Sequence, residues 1–115
     1  VQGPQGPQGN QGNQGAGGLG ALGFRSVAAS EALLVSDGNK VILATAGVGG
    51  ITLTLPDPAL VTGLPINVKK VDAAAGTVTV SQFAAETIDG ATSVGIASQY
   101  QSVTFASDGT NWHLI

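Results

Sequence analysis

A glycine at every third position near the N-terminus restricts this chain more than any other feature. Gly3-Pro4-Gln5, Gly6-Pro7-Gln8, Gly9-Asn10-Gln11, Gly12-Asn13-Gln14 and Gly15-Ala16-Gly17 follow one another without a break, and Gly18 comes next in frame. Polyproline-II chains wind into a triple helix only if the residue at the axis lacks a Cβ, because a side chain there collides with the neighbouring chains. The period therefore predicts a homotrimer, with Gly3, Gly6, Gly9, Gly12, Gly15 and Gly18 on the axis of a collagen-like stalk. A flexible Gly-rich linker has no need of that period, nor of proline in the first two triplets.

Only Pro4 and Pro7 stiffen the repeat, and later triplets use Asn and Ala, so the triple helix should weaken toward its C-terminal end. So short a stalk should not hold three chains together alone. After Gly18 the frame slips: Leu19 precedes Gly20-Ala21-Leu22 and Gly23. Residues Leu19 to Phe24 are expected to form a neck, with Leu19, Leu22 and Phe24 of three chains clustered on the axis. The expected organisation is stalk and neck over residues 1–23 and a head over 24–115. The chain starts at Val1 with the repeat running by Gly3, so it is expected to be a fragment of a protein longer on that side.

Of the 115 residues, only the head has side chains suited to a core. A domain of about ninety residues folds alone with modest stability, and oligomerisation adds buried area. Charged residues make up 10% of the chain and hydrophobic ones 43%, so few polar side chains are on hand to cover a small monomer, and apolar surface is expected in subunit contacts. The net charge is −3 and Lys69-Lys70 is the one adjacent basic pair, far from the basic stripe that nucleic acid requires. No run approaches the ~18 apolar residues of a membrane span, so no membrane insertion is expected. The absence of cysteine excludes disulfides, thiolate metal sites and a Cys nucleophile.

Beyond Phe24 short β-branched runs alternate with Gly, Asp, Asn and Pro, and no segment keeps a helical period. Strands are expected at Val41–Ala46, Ile51–Leu55, Pro65–Val71, Thr77–Phe83, Gln101–Ala106 and Trp112–Ile115, with weaker ones at Ala32–Ser36 and Ser93–Ala97. Strict alternation in Ile51-Thr52-Leu53-Thr54-Leu55 and Thr77-Val78-Thr79-Val80 marks half-buried strands. Leu33-Leu34-Val35 and Val41-Ile42-Leu43 are apolar on both faces, so one face of each is expected against another subunit. Turns fall at Asp37-Gly38, Gly47 to Gly50, Asp57-Pro58, Ala75-Gly76, Asp89-Gly90 and Asp108-Gly109. Ser36–Asn39 before Lys40 and Ser107–Asn111 before Trp112 read as similar hairpins. The expected fold class is all-β, a small antiparallel β-sandwich or barrel head.

Ile51-Thr52-Leu53-Thr54-Leu55-Pro56, Val68-Lys69-Lys70-Val71-Asp72, Glu86-Thr87-Ile88-Asp89-Gly90 and Ser107-Asp108-Gly109-Thr110-Asn111-Trp112, in that order, resemble a small β domain at the C-terminal ends of phage tail-fibre and structural proteins. The resemblance covers Val41 to Ile115. It implies a place at a virion fibre tip, outside the cell, and contact with a bacterial surface; it brings no catalytic residues.

The chemical inventory is thin. His113, the one histidine, lies between Trp112 and Leu114 and is expected to face solvent or a neighbouring subunit. One histidine per chain, even gathered on a threefold axis, is a sparse metal set. Glu86 and Asp89 are spaced like a turn rather than a hydrolytic carboxylate pair. Asp108-Gly109-Thr110-Asn111 lacks the spacing and distal Glu of a calcium loop and reads as a hairpin turn. Trp112 opens the last strand and is expected in the core rather than as a sugar platform. Tyr100 between Gln99 and Gln101 offers an aromatic face beside amides, which suits a sugar. Tyr100, Gln99, Gln101 and His113 are thus the candidate receptor contacts. No enzymatic activity, cofactor or metal is expected. The expected function is attachment of a fibre tip to a bacterial surface glycan or other surface receptor. The alternative is a structural trimerisation or capping domain without receptor contact.

Overall fold

The computed structural model describes residues 23–115. The stalk glycines Gly3 to Gly18, and Leu19 and Leu22 of the neck, lie outside the described residues. The described chain is all-β, with nine strands: β1 Gly23–Val27, β2 Glu31–Ala32, β3 Lys40–Ala44, β4 Ile51–Thr54, β5 Ile66–Lys70, β6 Val78–Ser81, β7 Ser93–Ile96, β8 Ser102–Ser107 and β9 Trp112–Leu114. Short 3₁₀ turns at Val35–Asp37 and Pro58–Leu60 complete the described elements.

The strands form a five-stranded sheet, β1-β3-β5-β8-β9, and a four-stranded sheet, β2-β4-β6-β7. Alternation decides which side chains face inward: in β4, Ile51 and Leu53 are buried while Thr52 is exposed; in β6, Val78 and Val80 are buried. The inward faces of both sheets supply one core, with Ile42, Ile66, Val68 and Phe105 from the larger sheet and Leu53, Val78, Val80 and Ile96 from the smaller. Trp112 is fully buried and its indole N–H donates to Pro56 O at 3.1 Å, in agreement with its expected core position.

The expectation of an antiparallel head is corrected by the pairing. β1 with β3, β3 with β5, β2 with β4 and β4 with β6 are all parallel. The chain crosses from one sheet to the other after each of the first five strands, so three successive turns of a flattened coil lay their strands side by side. Antiparallel pairing enters only with β6–β7, β5–β8 and β8–β9. Both sheets are therefore mixed.

Three local expectations change as well. Ser36–Asn39 is no hairpin: it connects β2 in one sheet to β3 in the other, and the positive φ falls on Asn39 (64°) while Gly38 is at −54°. The strand expected over Ala32–Ser36 stops at Ala32 and gives way to the 3₁₀ turn. β1 has no counterpart among the expected strands, and begins at Gly23 inside the range expected for the neck. It carries Phe24 outward and Arg25 inward, the reverse of what apolar patterning suggests. Arg25 is held there by carboxylates, donating from Nε and Nη2 to Asp37 (both 2.9 Å) and from Nη2 to Glu31 (2.7 Å).

Candidate functional site

The parallel register gives the head two ends. Gly23, Lys40 and Ile66 align at the end where the described chain enters β1, called proximal here. β8 runs the other way and pairs Ser102 with Lys69, so the residues just before Ser102 lie at the opposite, distal end. Beside the 28–30 connection after β1, three loops meet there: 45–50 after β3, 71–77 after β5 and 97–101 before β8.

Lys70 ties these loops together. Alternation along Ile66-Asn67-Val68-Lys69-Lys70 turns Lys70 inward, where it is 1% exposed. Its Nζ donates to Asp72 O at 2.7 Å and Ala74 O at 2.8 Å, and lies 3.3 Å from the Asp72 carboxylate. That carboxylate accepts the Ala46 and Gly47 N–H groups at 3.0 and 2.9 Å, which hold its pKa below the ordinary value with help from Lys70. Gly76 packs so closely on Gly47 O and Gly50 N that a Cβ would overlap both. The distal loops are thus fixed to one another by charge and by close backbone contact.

Tyr100 stands on this base. Its N–H donates to Lys70 O at 2.6 Å, the Lys70 N–H donates to Gln101 O at 3.0 Å, and Gln101 N–H closes the turn on Ser98 O at 3.1 Å. The ring is 64% exposed, with Lys69 Nζ 5.6 Å from its centroid, within cation–π range. Tyr100 has φ 66°, a left-handed conformation that costs a non-Gly residue ~1 kcal/mol. The flanking amides hold the loop: Gln99 Nε2 donates to Val71 O at 3.3 Å, and Gln101 Oε1 accepts the Ala97 and Ser98 N–H groups at 3.1 and 3.2 Å. Of the three adjacent candidates, Tyr100 presents the exposed ring and its neighbours set its pose.

Beside the loops 47–50 and 75–77 lies an open groove of about 360 Å³. Its lining includes Ser30, Thr52, Thr77 and Thr79, with the chain of Gly49 and Gly50 alongside. Ser30 Oγ accepts the Thr52 N–H at 2.9 Å. In the sequence Thr52, Thr77 and Thr79 are only outward positions of alternating strands and Ser30 falls in no expected strand; that the coil gathers them at one end follows from the parallel pairing.

His113 lies elsewhere. It pairs with Ala106 in β9–β8, toward the proximal end, and is bracketed by two carboxylates: Asp108 Oδ2 is 2.8 Å from Nε2 and Asp89 Oδ1 is 3.2 Å from Nδ1. The hydrogen bond with Asp108 is the largest cause of a raised His113 pKa. Asp108 is pushed down to about 2, chiefly by the Asn111 N–H and then by His113. Each carboxylate sits in its own turn. Asp89 and Gly90 both have positive φ, 49° and 82°, between Ile88 and Ala91, the arrangement of a type I′ turn. Asp108 accepts the Thr110 and Asn111 N–H groups, each at 2.8 Å, as its hairpin turn predicts. The cluster is a strap between two turns, separated from Tyr100 by the length of β8. Among the described residues, no group of three or more His, Asp or Glu side chains is placed to hold a metal ion.

No protein-family profile matches this chain, and no curated protein matches it.

Proposed function

We propose that this chain is the distal tip of a phage tail fibre, a homotrimer on the virion whose heads attach to bacterial surface carbohydrate through many weak contacts. The observation that carries this reading is Tyr100. It is an exposed aromatic ring, held in a left-handed conformation by a locked loop, at the end opposite Gly23. An aromatic face takes sugar C–H groups, and hydroxyls such as those of the groove at the same end of the head exchange hydrogen bonds with sugar hydroxyls without burying charge. Three such faces on one fibre need no deep pocket, since linked sites raise avidity by ~10² to 10⁴. The alternative role, trimer registration alone, draws support from the apolar proximal rim described below; the two roles occupy opposite ends of the head and are compatible.

Adsorption of the labelled chain to whole cells of bacteria with different surface polysaccharides tests this, with Tyr100→Ser measured in parallel. The reading expects adsorption to some strains, reduced at least ~10-fold by the substitution because each subunit loses a stacking contact. Adsorption to none, or equal adsorption by both proteins, would leave only the registration role.

A further inference from the structure

The proximal end carries large apolar side chains that the head itself does not cover. Phe24 is 65% exposed, Leu34 55%, Leu64 46% and Val35 43%. They are joined through the backbone: Gly23 N–H donates to Asn39 O and Asn39 N–H to Pro65 O, while Gly38, which bonds back to Val35 O, has Leu64 packed against it. On the outer face of the larger sheet Phe24 is in register with Val41, and Leu43 follows two residues on, both half-buried. The two-sided apolar runs of the sequence thus meet at one rim.

Chain reach says what covers it. Gly18 is the last glycine in frame, and Phe24 lies six residues beyond. A chain spans at most about 3.5 Å per residue, so Phe24 stands within about 20 Å of Gly18 and hence close to the axis of any triple helix the repeats form. Charge does not oppose a second copy here. Arg25 is paired with Glu31 and Asp37, and Lys40 Nζ lies 3.8 Å from Asp37, so two cations and two anions balance within one head. We infer that this rim, Phe24 with Leu34, Val35 and Leu64, is the surface on which three copies of this chain pack around the stalk axis. The inference rests on the three-chain reading of the repeats and adds the contact surface to it.

Sedimentation of the full chain tests both. Wild type should run at three times 11.3 kDa, and Phe24→Glu combined with Leu64→Glu should shift it to monomer mass. Both positions are exposed in the single head, so the Trp112 near-UV signal should persist. A variant that remains trimeric would overturn the assigned surface and leave the three-chain reading intact. A wild type that is monomeric at micromolar concentration would overturn that reading and the surface with it. Because the chain has no cysteine, Phe24→Cys gives an independent measurement that does not depend on disrupting the trimer. On oxidation it should yield disulfide-linked pairs of chains, whereas Val48→Cys, exposed in the distal 45–50 loop, should not. Equal cross-linking at the two positions, or none at Phe24, would count against the rim.

Discussion

At the scale of single residues, His113 is the easiest group to follow, because one histidine gives one imidazole signal. Its protonated form is favoured by Asp108 first and Asp89 after it. The sign follows from linkage: a raised pKa means that this part of the stability is complete below the ordinary value of 6.5 and fades as pH rises through the folded value. Asp108 works in the other direction, its share being present above 3.8 and lost as pH falls through about 2. An NMR titration should place His113 above 6.5, and Asp108→Asn should lower it; an unchanged midpoint in the variant would remove Asp108 as the cause. Lys70 shows what sequence patterning offers at this scale. It was legible as an inward position, since 66, 68 and 70 share a face, yet the pair Lys69-Lys70 invites a surface reading because lysine is seldom fully buried. What makes burial tolerable is a set of acceptors two and four residues ahead, at Asp72 and Ala74, supplied by a loop conformation that local patterning does not specify. Tyr100 was readable as exposed, but its left-handed backbone comes from its own N–H bond to Lys70 O and from the turn that the Gln101 N–H closes on Ser98 O.

At the scale of elements, the six stronger strand expectations each correspond to an observed strand, because alternation registers directly which face is buried. Pairing was not legible in the same way. A connection of a few polar residues with Gly or Asp serves a hairpin within one sheet or a crossing between two, and the residues of 36–39 and 107–111 look alike although only the second turns back on its own sheet. β1 escapes apolar patterning because its central inward position is an arginine whose partners come from β2 and the following turn. That clasp is testable. Burial alone would push the Asp37 carboxyl up, but Arg25 and the Leu34 N–H outweigh it and hold the pKa below 3.8. Its stabilising share is present above pH 3.8 and lost as pH falls through the folded value. Arg25→Ala should cost about 2 kcal/mol near neutrality, less than a wholly buried pair because Arg25 is partly solvated, and should flatten the acid limb of a urea-unfolding profile. The coil makes a second demand at Gly76, where successive connections touch through backbone. Gly76→Ala should raise the free energy of the fold by more than about 2 kcal/mol in the same urea assay, whereas Gly63→Ala, in open space, should show only the strain of its positive φ of 81°.

At the scale of the whole molecule, the head has its own core and the repeats are few, so assembly should be governed by the head. Residues 23–115 alone should sediment as a trimer, and the repeats without them should show no triple-helical circular dichroism at 25 °C; a trimeric repeat peptide would reverse that order of dependence. The coil also decides how the molecule bears load. β1 starts at the proximal end and lies parallel to β3 over five residue pairs. A pull arriving through the chain before Gly23, and resisted at the distal loops, acts along the axis of β1. The hydrogen bonds of that ladder are then strained together, in shear, where a hairpin opened from its free ends would unzip bond by bond. The strand hardest to foresee from the sequence is therefore the one through which tension passes into the head, and Arg25, bonded across to Asp37 and Glu31, is its rivet.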